Sequence, residues 1–74
     1  MSVRSRQEVR GDILRVARMG AIKTRIVYGA YLNFSIVKGH LFELIKSGRL
    51  VQRGKKFYTT DRGLDYIRHL EAMR

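Results

Sequence analysis

An α+β fold of three helices, a two-stranded hairpin and a closing helix is the class this sequence predicts. Three observations carry it. Apolar residues recur at helical spacing over residues 6–18, 25–31 and 36–47. The period then changes to a β-branched and aromatic run interrupted by Gly54, over residues 50–60. Helical spacing returns over residues 61–73. With 74 residues and no cysteine, the chain fits one small domain, residues 1–74, burying only about 60% of its unfolded surface. A hydrophobic content of 45% is too high for a disordered basic tail.

The first helix opens at Ser5-Arg6-Gln7-Glu8, the Ser-x-x-Glu spacing of a capping box. Val9, Ile13, Val16 and Ala17 form its buried face, Leu14 widens it, and Gly20 is the expected left-handed terminator. Ala21-Ile22-Lys23 has room for a single extended step. Thr24 is the expected cap of a short second helix burying Ile26, Val27, Ala30 and Tyr31. Ser35 is the expected cap of the third, with Phe34 as a hydrophobic staple. Val37, Leu41, Leu44 and Ile45 turn inward there, and Gly48 closes the segment. Leu50 to Arg53 and Lys56 to Thr60 read as strands around Gly54-Lys55, and Thr60 caps the last helix.

A tri-helical unit with a short second helix, followed by a basic hairpin, is the winged helix-turn-helix arrangement. Charge narrows the partner. Sixteen Lys and Arg oppose six Asp and Glu, a net +10. So small a body self-repels unless an anion neutralises it, and nucleic acid is the commonest one. Ile26 to Leu32, the longest central stretch without charge or polar amide, has seven residues, whereas a membrane crossing needs about 20. The N-terminus lacks the apolar core of a secretory signal. The expected location is cytoplasmic and nucleoid-associated.

Gly20-Ala21-Ile22-Lys23-Thr24-Arg25-Ile26-Val27-Tyr28, Leu32-Asn33-Phe34-Ser35, Leu41, Leu44, Gly48, Leu50 and Tyr58-Thr59-Thr60-Asp61-Arg62-Gly63-Leu64 together resemble archaeal winged-helix regulators of the ArnR-like type. They are also similar to small Sulfolobus chromatin-type winged-helix proteins, over about residues 9–70. The resemblance implies double-stranded DNA as partner, no cofactor, and pairing through a long C-terminal helix. Here about 14 residues follow Thr60, a departure from the chromatin-type pattern.

In this architecture the third helix reads the major groove, and Ser35, Ile36, Lys38 and Gly39 are its outward candidates. Lys38 suits guanine acceptors or a phosphate, Ile36 a thymine methyl, and Gly39 a close backbone approach. Ser35 as a cap alone and Gly39 as a packing choice stay open. Arg53, Lys55 and Lys56 put the hairpin charge on a flanking backbone or minor groove, within a segment, 46–62, of six basic residues and one acid. Lys23, Thr24 and Arg25 form an expected phosphate clamp at the start of the second helix. Arg4, Arg6 and Arg10 read equally as a further backbone contact or as solvated surface.

Leu64 and Ile67 suffice to dock the last helix, so Tyr66, Leu70 and Met73 are the expected homodimer interface. Asp61, Asp65 and His69 share one helical face but read as surface residues, Asp65 with Arg68 or His69 as an ordinary pair, and no metal site is expected. His40 reads as a hydrogen-bonded or groove-facing side chain. No phosphate loop, nucleophile elbow or carboxylate pair is present, so no enzyme is expected. The leading function is a sequence-specific regulator of transcription. The alternatives are a non-specific architectural DNA-binding protein and a protein-interaction module of a transcription complex; RNA binding lacks an aromatic stacking platform.

Overall fold

Helix α1 (Arg6–Val16) begins as the Ser5–Glu8 spacing requires, with Ser5 Oγ accepting from the Glu8 N–H at 3.1 Å. It stops two residues early; residues 17–19 form a turn before Gly20, whose φ is 93°. The structure is a computed structural model and describes residues 4–73; residues 1–3 and Arg74 lie outside it. Next come β1 (Ala21–Ile22), α2 (Lys23–Gly29), α3 (Phe34–Lys46), β2 (Leu50–Arg53), β3 (Lys56–Thr59) and α4 (Asp61–Ala72). The extended step at Ala21 is thus a third strand. It pairs antiparallel with β3, Ala21 opposite Phe57, giving the sheet order β1-β3-β2.

Two expected caps are corrected. Thr24 lies inside α2, whose N-cap is Ile22 with no side-chain bond. Pairing to β3 ends β1 at Ile22, so the helix starts there whatever the capping chemistry of Thr24. Ser35 lies inside α3, where Asn33 Oδ1 accepts from the Ile36 N–H at 2.9 Å. Phe34 is therefore the first helical residue and is exposed, not a staple. Tyr31 is also corrected: it is 87% exposed. It occupies the left-handed position after α2 at φ 55°, with the Leu32 N–H donating to the Val27 carbonyl at 2.9 Å. Ile45, expected inside, is exposed as well.

The core joins all the layers: Ile13, Leu14, Ile26, Val37, Leu44 and Leu50 are fully buried, and Phe57 and Ile67 close it from the sheet and α4. Helix α3 ends as expected at Gly48, where the Arg49 N–H donates to the Leu44 carbonyl at 2.9 Å and the Gly48 N–H to Ile45 at 3.0 Å, the paired bonds of a Schellman motif. Thr60 caps α4 by accepting from the Gly63 N–H at 3.2 Å. Gly63 is required by contact: a Cβ there would collide with the Arg49 carbonyl and come 2.6 Å from Thr59 Cγ2.

Candidate nucleic-acid interface

Because Val37, Leu41 and Leu44 point inward, Ser35, Gly39, Phe42 and Lys46 form the opposite ridge of α3 at about 100° per residue. Lys38 stands on one flank; Ile36 lies about 160° from it, toward α1. All six are exposed. With Asn33 supplying the cap, the Ser35 hydroxyl has no hydrogen bond among the described residues. A Cβ at Gly39 would meet nothing within 4 Å, so internal packing does not demand a glycine there. Phe42, 65% exposed in the middle of the ridge, was absent from the sequence-based candidates. Its place four and three residues on from Lys38 and Gly39 is the signal that finds it.

The hairpin turns at Gly54-Lys55, with Gly54 at φ 62°, the glycine-first pattern of a type II′ turn. Arg53 pairs directly with Lys56 across the strands. Like charges so placed are destabilising. Among the described residues no carboxylate forms an ion pair with Arg53, Lys55 or Lys56.

The third strand moves the start of α2 beside this hairpin. Ile22 pairs with Lys56, and Lys23 and Thr24 share a groove with Gln52, Lys55 and Phe57. Arg25 instead lines a depression between α1 and α2 with Arg15 and Tyr28. The expected clamp is therefore divided: Lys23 and Thr24 join the wing, and Arg25 does not.

Asp12 and Asp65 are used elsewhere. Asp12 binds Arg4 at 2.7 Å and Arg15 at 2.9 Å, and Asp65 binds Arg68 at 3.1 Å as an ordinary surface pair. Arg49, counted with the wing charge in the sequence, lies 4.9 Å over the Tyr66 ring. His40 is half-buried and accepts at Nδ1 from Arg10 Nε–H at 3.2 Å. Burial, then the Arg10 and Arg6 charges, holds its pKa below the ordinary 6.5.

The expected dimer stripe is mostly occupied within the chain. Leu70 is only 8% exposed, and a Cβ on Gly11 of α1 would lie 2.6 Å from its Cδ1. Tyr66 is half-buried, and its hydroxyl donates to the Gln7 carbonyl at 3.2 Å. Met73 alone of the three is open, at 60%.

Comparison with known proteins places this geometry. A family model described as winged helix-turn-helix matches residues 3–74. Among solved structures, the chain is similar to Sso10a-2, a DNA-binding protein from Sulfolobus solfataricus, at 28% identity and a TM-score of 0.85, covering 95% of this chain and 78% of that one. No curated protein sequence matches it.

Proposed function

The chain belongs to the winged helix-turn-helix family, and from that membership we propose that it is a double-stranded DNA-binding regulator of transcription. The ridge of α3, with Ser35, Lys38 and Gly39 and with Ile36 on its flank, enters the major groove. Arg53, Lys55 and Lys56 hold the flanking backbone or minor groove, and Lys23 and Thr24 join them. Arg25, on the α1–α2 depression, contributes long-range attraction.

One observation carries this reading: three local costs to stability stand together in the helix-turn-helix and its wing. Tyr31 adopts a left-handed conformation that disfavours L-residues by about 1–2 kcal/mol. Gly39 costs a helix interior about 1 kcal/mol with no neighbour requiring it. Arg53 and Lys56 oppose each other without an acid. Such departures from local preference are expected where a surface is kept for binding. A homodimer through α4 accompanies the proposal, since two half-sites need two copies. Its contact is Met73 with the open edge of Tyr66, because Leu70 is committed to α1.

Selection of bound duplexes from a random pool at two salt concentrations tests the proposal. An enriched motif supports a regulator, and a palindromic one supports the dimer. A second reading has its own observation: beyond Ser35, Lys38 and Lys46 the reading face is apolar or glycine, while the chain carries +10. That composition suits architectural binding through phosphates. A specific-to-random affinity ratio near one selects it, whereas regulators show about 10³ or more.

A further inference from the structure

Arg6 and Arg10 stand four residues apart and so share one face of α1. With Ile36, Gly39, His40 and Glu43 of α3 they line an open groove of about 580 Å³. Arg10 Nε–H donates to His40 Nδ1 at 3.2 Å, which fixes that nitrogen as the acceptor and leaves the neutral ring's proton on Nε2. Both Nη groups of Arg10 and the whole Arg6 guanidinium then lack a partner among the described residues. Arg4 and Arg15 of the same segment differ, being held by Asp12. Glu43 lines the groove without forming an ion pair to either arginine.

We propose that this α1–α3 groove is a phosphate site for the DNA backbone, in which Arg6 and Arg10 clasp a phosphate and His40 positions Arg10. The inference rests on the DNA-binding reading above. Two features favour a phosphate on a duplex. A guanidinium presents a planar fork that matches phosphate oxygens, and one whose Nε is already tethered loses less freedom on binding. Ile36 and Gly39 belong both to this groove and to the outward surface of α3, so a duplex seated on α3 brings its backbone here.

Proton sensitivity follows from the same geometry. The groups facing His40 are Arg10 and Arg6 from α1 and Glu43 from its own helix. Imidazolium carries a proton on both nitrogens, so a protonated His40 cannot accept from Arg10 Nε–H and the tether is lost. DNA affinity therefore falls as pH drops below the ordinary 6.5, through the lowered pKa of His40.

Fluorescence anisotropy of a random-sequence duplex of about 21 base pairs, two helical turns, tests the site at several salt concentrations. Arg6→Ala/Arg10→Ala, checked for native melting, lowers the log–log salt slope by about 0.9 for each phosphate that is no longer neutralised. His40→Gln keeps the slope and loses the pH dependence. Glu43→Gln, which removes the only acid among the described residues lining the groove, tightens binding about threefold by ending a like-charge repulsion. It keeps the test decisive if the double variant unfolds. A folded double variant with the wild-type slope overturns the site while leaving DNA binding in place. Unchanged affinity in Glu43→Gln also overturns it. Failure of the wild type to bind duplex at low salt overturns both readings.

Discussion

All three ion pairs among the described residues lie on the α1–α4 side of the molecule. Asp12 joins Arg4 to Arg15, Asp65 holds Arg68, Tyr66 reaches Gln7, and Thr59 donates its hydroxyl to the Leu14 carbonyl at 2.6 Å. On the α2–α3–wing side, Lys23, Lys38, Arg53, Lys55 and Lys56 have no acidic partner among the described residues. The backbone differs in the same sense. The left-handed tyrosine and the uncrowded helical glycine both fall on the second side. The net charge therefore understates how unequal the two sides are. One is built for stability, and the other gives up stability for accessible charge and backbone.

Removing the wing charge is the largest available perturbation of that contrast. Arg53→Ala/Lys55→Ala/Lys56→Ala is expected to weaken duplex binding by about 100-fold at 0.1 M salt and to lower the salt slope by up to about 2.7. Its melting temperature should hold or rise, because the Arg53–Lys56 repulsion is gone. A marked fall in stability with binding intact would reverse the assignment of this side.

Smaller changes sharpen it. Gly39→Ala should stabilise the protein by about 1 kcal/mol, seen as a rise of about 4–8 °C in Tm. Duplex affinity should fall if the backbone approaches DNA there. Tyr31→Gly should stabilise by about 1 kcal/mol by relieving the left-handed conformation, measured by urea unfolding. Asp12→Asn acts on the other side. Its two ion pairs are about one-third exposed, so the loss should stay below about 1 kcal/mol each. The salt slope of duplex binding should not change. A slope rising as far as the wing variant lowers it would erase the distinction.

Features set by neighbouring residues were legible in the sequence. The Ser5 and Thr60 caps, the Gly48 terminator and the Gly54 turn each depend on a few adjacent positions, and each formed where expected. The misplaced features depend on distant ones. Thr24 lost its cap role because β1 pairs with β3, about 35 residues away in sequence, and a two-residue strand has no local signature. Ser35 competed with Asn33, two residues earlier, and the turn through Tyr31 and Leu32 decided for Asn33. Leu70 reads as partly exposed in the sequence because its burial depends on Gly11 of α1. The same limit applies to the candidate site. The wing and α3 residues are legible in the sequence, while the joining of Lys23 to Lys55 and of Arg10 to His40 depends on the fold.

The difference between the two sides is best tested by mapping a bound duplex directly. Backbone amide shifts followed by NMR during titration with a short random-sequence duplex should move most at residues 35–39 and 53–56. Smaller changes are expected at Lys23, Thr24, Arg6 and Arg10, with Asp12, Asp65 and Arg68 nearly still. Largest shifts around Asp12 and α4, or none at any duplex concentration, would contradict the account.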